Sequence, residues 1–98
     1  MLELARRYQG FAMAATDAQF KYPAVCKSSW GSSLLYEVTG DAVYRDWTLR
    51  MGDWYVSTQT PAGSWHPLVE ENEADVIEVS LEFVMHLDTL IGALSSRP

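Results

Sequence analysis

Eleven large apolar side chains fall between positions 76 and 94: Val76, Ile77, Val79, Leu81, Phe83, Val84, Met85, Leu87, Leu90, Ile91 and Leu94. On a 3.6-residue period they occupy most of a helix's circumference, the pattern of a helix covered on more than one side. The rest of the 98-residue chain reads as three further helices, which cover only part of such a surface. The expectation is a single all-α domain over 1–98 that self-associates. A homodimer is the first choice, because two-fold closure is the commonest. A chain of this length buries roughly two-thirds of its unfolded surface. That allows a core but not a deep cavity within one copy, so an enclosed site needs a partner.

The other helices follow from spacing and punctuation. Leu4, Tyr8, Phe11 and Ala15 recur at helical intervals and predict a helix from 2 to about 16. The Tyr22-Pro23 pair breaks the chain after it. Ser28 or Ser29 can cap a second helix with Trp30, Leu34 and Val38 on one stripe. Thr39-Gly40-Asp41 ends it: Gly40 suits a left-handed C-terminal position and Asp41 can cap the next helix, so the joint is a very tight turn. Tyr44, Trp47, Met51, Trp54 and Thr58 mark a third helix over about 42–59 with an aromatic buried face. After the Pro61 and Gly63 turn, the fourth helix starts near Asn72 or Ala74 and reaches about Leu94. The fold class expected is therefore four helices in two antiparallel hairpins, about 1–40 and about 41–98. A weak repeat at an offset of 43 places Leu4, Arg7 and Phe11 on Trp47, Arg50 and Trp54, in keeping with two similar hairpins.

Composition narrows the function classes. The net charge is −6, from 13 acidic and 7 basic residues, so no basic stripe is available for phosphate-backbone contact; nucleic acid is not an expected partner. The charge is asymmetric: residues 1–50 carry six bases and five acids, residues 51–98 one base and eight acids. Such a dipole can steer head-to-tail association or simply solvate the surface. Four Trp, five Tyr and three Phe exclude disorder. The lone Cys26 excludes an internal disulfide and a multi-cysteine zinc site. No basic segment precedes an apolar run at the start, and no apolar run approaches membrane-spanning length. The sequence reads as cytoplasmic, with no membrane partner and no cofactor.

The segment 54–65, Trp54-Tyr55-Val56-Ser57-Thr58-Gln59-Thr60-Pro61-Ala62-Gly63-Ser64-Trp65, has the form aromatic, apolar, Q-x-x-x-G-x-W. It resembles the QW repeat of the α/α-toroid superfamily, which includes terpenoid cyclases and is related to protein prenyltransferase β subunits. The preceding segment 30–44, with its Thr39-Gly40-Asp41 and Tyr44, resembles the joint between successive hairpins of such toroids. The resemblance implies alternating outer and inner helices, with the second and fourth lining the inside, and a ring of several hairpins of which this chain supplies two. Gln59, Gly63 and Trp65 form a structural clip on this reading: Gln59 serves orphan backbone groups, Gly63 permits the reversal, and Trp65 stacks over the turn. Gly40 and Asp41 make the joint. The D-x-D-D and D-D-x-x-D acid motifs of the cyclases are absent, so no catalytic residue is carried over.

Two constellations are candidates for chemistry. Glu78, Glu82 and His86 stand at i, i+4 and i+8 on the fourth helix, followed by Thr89. Lining a cavity, they suit a cation, a sugar or a carbonyl substrate, with Glu82 and His86 as an acid/base pair; the same spacing permits metal ligation, and a solvated edge gives the same stripe. No metal is assigned. The second constellation is Trp65-His66-Pro67 with Tyr22, Lys27 and Trp30, aromatic rings beside Lys and His that suit a small-molecule ligand such as a carbohydrate or an aromatic acid, or that plug the hairpin ends. The run Glu70, Glu71, Glu73 and Asp75 lacks the order of an EF-hand loop. Cys26 precedes a helix, where a thiolate is favoured, or is a small buried residue. The leading expectation is a self-associating helical-hairpin protein or toroid fragment. The alternative is a subunit of a toroid-type enzyme acting on a carbohydrate or isoprenoid-like molecule in a cavity completed by oligomerisation.

Overall fold

Helix period and punctuation dominate the architecture. The computed structural model describes residues 2–20, 23–65 and 73–96. In order these form α1 (Leu2–Met13), a single 3-10 turn (Asp17–Gln19), the one-turn α2 (Pro23–Cys26), α3 (Ser29–Thr39), α4 (Ala42–Thr58) and α5 (Glu73–Ser95). No strand occurs among the described residues, as expected for an all-α chain. Pro23 opens α2, where its fixed φ and missing N–H cost nothing. Gly40 closes α3 at φ 70° and donates its N–H to the Tyr36 carbonyl, the left-handed cap expected there. Asp41 then stands in extended conformation at the head of α4, but its side chain makes no capping bond. Its carboxylate turns back to Arg6 of α1 at 3.4 Å.

The core gathers on one side of α4 and α5. Phe20, Val25, Cys26, Trp47, Met51, Tyr55, Trp65, Val79, Phe83 and Leu90 form its main cluster, and the Arg50 guanidinium lies over the Phe20 ring at 4.8 Å. Helix α3 is central: it packs most extensively on α4, then on α5, while α1 touches mainly α3. The predicted hairpin partners α4 and α5 meet less closely than α3 meets either.

The buried face of α3 differs from the expected one. Ser29, Ser32 and Ser33 are fully buried with Leu35 and Tyr36, whereas Trp30, Leu34 and Val38 face outward. Small hydroxyl side chains let α4 come close, and Ser29 and Ser32 find partners on it, whereas Ser33 Oγ has none among the described residues. Ser32 Oγ pairs with Thr48 Oγ1 at 2.7 Å and Ser29 Oγ with the Tyr55 hydroxyl at 2.8 Å. The Trp47 indole N–H donates to Ser28 Oγ at 2.8 Å. Helix α1 is likewise turned around: Tyr8 and Phe11 are 70% and 78% exposed, and the buried residues are Gln9 and Ala12. Gln9 anchors α1 by donating Nε2 to the Ser28 carbonyl at 3.2 Å, close over Gly31, where a Cβ would sit 2.5 Å from Gln9 Oε1. The offset repeat therefore joins exposed Leu4 to core Trp47 and exposed Phe11 to half-buried Trp54 and is not a structural one.

Candidate functional site

The segment Lys27–Ser28 links α2 to α3; Lys27 from this link and Trp30 from the first turn of α3 face α5. Glu82, Met85 and His86, at i, i+3 and i+4 on α5, share one helix side. Together the five side chains line a cleft of about 510 Å³. The Lys27 Nζ donates to Glu82 Oε2 at 2.6 Å, each side chain being about one-third exposed. His86 is only 5% exposed. Its ring meets Trp30 edge-on with centroids 5.4 Å apart and lies nearly parallel to Tyr55 at 6.4 Å. Nδ1 is buried without a hydrogen-bond partner among the described residues, a rare condition for a buried polar atom. Burial holds the imidazole below its ordinary pKa and Lys27 adds to that, while Glu82 pulls the other way; His86 is neutral at pH 7.

Beneath the cleft, Tyr55 of α4 fixes the chain that carries Lys27. Its hydroxyl donates to the Cys26 carbonyl, which leaves the Ser29 hydroxyl to donate to the Tyr55 oxygen. Burial pushes the Tyr55 phenol pKa up strongly, so the proton stays in place. The Cys26 thiol is fully buried and free. Burial pushes its pKa up to about 11, and the nearby Lys27 offsets this only partly. The thiolate expected at a helix start is therefore not favoured here.

The two constellations merge in part. Lys27 and Trp30 of the second meet Glu82 and His86 of the first. Glu78 is exposed and lies outside the cleft lining. Among the described residues no hydrogen bond joins Glu82 to His86, so an acid/base dyad is not formed. Trp65 is a core residue: it is 2% exposed, packs edge-on against Phe83 and donates its indole N–H to the Tyr55 carbonyl at 2.8 Å. Tyr22 and His66 lie outside the described residues, as do Glu70 and Glu71. Sequence reasoning missed Tyr55, Ser29 and Met85 as parts or supports of the cleft; only Tyr55 and Met85 had a signal, their place on aromatic or apolar helices.

The clip takes the expected positions with different bonds. Gln59 Nε2 donates to the Gly63 carbonyl at 2.9 Å, inside the turn rather than to a helix end. Gly63 has φ 90°, and its N–H reaches the Thr60 carbonyl at 2.8 Å. The Trp65 backbone N–H donates to Ser80 Oγ of α5 at 3.0 Å, which ties the turn to the last helix.

Among the described residues two apolar surfaces stand out as uncovered. On α5, Ile77, Leu81, Val84 and Ile91 are all exposed, Leu81 by 62%. Their 4-3-7 spacing, with Asp88 at the intervening place, makes a straight ridge. Between α1 and α3 lies a groove of about 490 Å³ lined by Leu4, Tyr8, Gly31, Leu34, Leu35 and Val38 among others. Among the described residues no three His, Cys, Asp or Glu side chains converge on a metal position, and no helix is long and apolar enough to cross a membrane. Comparison with known protein families, characterised proteins and solved structures finds no match.

Proposed function

We propose that this chain is a helical association unit that buries its α5 ridge against a second copy, the ridge of each entering the α1–α3 groove of the other. The observation that carries this is the ridge itself: four large apolar side chains in line on one exposed helix face, a contiguous patch of the kind that marks an interaction site. Charge supports the choice of occupant. The outer side of α5 carries Glu78 and Asp88 with no Lys or Arg from 54 to 96, whereas α1 beside the groove carries Arg6 and Arg7, which pair with Asp41 and Glu3, so the groove side is the less acidic of the two and the contact is charge-compatible. The reciprocal contact closes as a two-fold dimer. The likeness to α/α-toroid hairpins belongs to the same proposal, supported by the Gln59–Trp65 clip and by the contact of α3 with α5.

Sedimentation and light scattering of the purified chain at micromolar concentration test it. The expected species has twice the 11.0 kDa chain mass. Leu81→Lys on the ridge and Leu34→Lys in the groove each yield monomer with unchanged helix content, since both sites are exposed in one copy. A wild-type monomer overturns the proposal, and dissociation by the ridge variant alone replaces ridge-in-groove pairing with ridge-on-ridge.

A further inference from the structure

We infer that the cleft formed by Lys27, Trp30, Glu82, Met85 and His86 binds a small zwitterion that carries a flat aromatic ring, the simplest being a free aromatic amino acid. This stands apart from self-association: neither Leu81 nor Leu34 lines the cleft.

The size is suitable, because about 510 Å³ lies within the roughly 300–1,000 Å³ usual for small-molecule clefts. The charges choose the ligand. Lys27 and Glu82 sum to zero and already satisfy each other through one oxygen and one donor. A lone anion would face the Glu82 carboxylate, and a lone cation the Lys27 ammonium. A zwitterion keeps the balance: its carboxylate takes the remaining donors of Lys27 and its ammonium the other oxygen of Glu82, so one ion pair becomes three charge-assisted contacts.

The walls choose the rest of the molecule. Trp30 presents an indole that is 44% exposed, with Met85 beside it, surfaces that favour a flat apolar ring. His86 backs Trp30 edge-on, and its buried Nδ1 has no partner among the described residues. Leaving such an atom unpaired beside the cleft costs stability. Tyr55 holds the Cys26 carbonyl and thereby the backbone from which Lys27 projects, so the polar end of the cleft is fixed before a ligand arrives.

Titration of the full chain with L-phenylalanine, followed by calorimetry and by the Trp30 indole and Met85 methyl NMR signals, is the test. 3-Phenylpropionate (acid alone) and 2-phenylethylamine (amine alone) serve as comparisons. The expected result is saturable one-site binding of the amino acid that moves both signals, with each comparison compound at least about tenfold weaker. Lys27→Met and Glu82→Gln each weaken amino-acid binding by a similar factor while the circular dichroism spectrum is kept. Should one variant not fold, the other decides, and the comparison compounds decide without any variant. Absence of saturable binding on the wild-type chain, equal binding of all three compounds, or binding untouched by the folded variants overturns the inference.

Discussion

His86 and Cys26 are both buried groups whose neutral forms the fold enforces, and each links stability to pH in its own direction. His86 has its folded pKa below the ordinary 6.5. The unfolded chain therefore takes up a proton first as pH falls, and stability present above about 6.5 is lost below it. Thermal unfolding followed across that pH should show a falling Tm on the acid side, and His86→Phe, which keeps a ring among Tyr55, Phe83 and Trp30, should flatten this slope. Cys26 has the opposite sign. Its thiol is ordinary at 9.0 when unfolded and about 11 when folded, so stability declines as pH rises between those values. At pH 8 a thiol reagent should leave the native chain unmodified and react at once in denaturant; rapid native modification would contradict the burial.

Among the elements, the turn after α4 offers the clearest substitutions. Gly63 has φ 90°, and a Cβ there would meet only Gln59 Nε2 at 3.7 Å, an ordinary contact. Gly63→Ala therefore isolates backbone strain, expected at about 1–2 kcal/mol, or roughly 4–16 °C in Tm for a domain of this size. Trp65→Phe removes the indole bond to the Tyr55 carbonyl, but that oxygen still accepts the Gln59 N–H, so about 1 kcal/mol is expected from the lost bond, plus the smaller ring's packing. Such turn chemistry was legible in the sequence because Gly and Pro act locally. The aromatic face of α4 was legible too, since Trp47 and Met51 recur at the helical period and are buried. Periodicity did not reveal which face of α1 or α3 would be covered. On α3 the close approach of α4 depends on Ser29 meeting Tyr55 and Ser32 meeting Thr48, a match between two helices that neither announces alone. The cleft shared this limit: the Glu82–His86 spacing was visible on α5, but the Lys27 partner comes from a distant segment and is set by tertiary packing.

At the scale of the whole molecule, the apolar excess of α5 is partitioned between a core face carrying Val79, Phe83 and Leu90 and an outward ridge. Asp88 interrupts that ridge. Asp88→Leu should strengthen self-association by roughly 100-fold or more, because each of the two copies buries one added leucine at about 1.5–3 kcal/mol, as read from the dissociation constant in sedimentation; an unchanged constant would place Asp88 outside the contact. The Gly40 joint has a consequence for how the chain reaches this arrangement. Because it brings α3 and α4 together across a connection of two residues, their extensive contact requires almost no loop closure, while α5 must arrive across a longer one. The α3–α4 pair is therefore the expected folding nucleus: substitutions between its serines and Thr48 should slow refolding, and those where α5 or α1 docks should mainly hasten unfolding. A newly made chain would then hold its serine-lined pair formed before the last helix emerges, and the ridge of α5 would be the final surface to reach water.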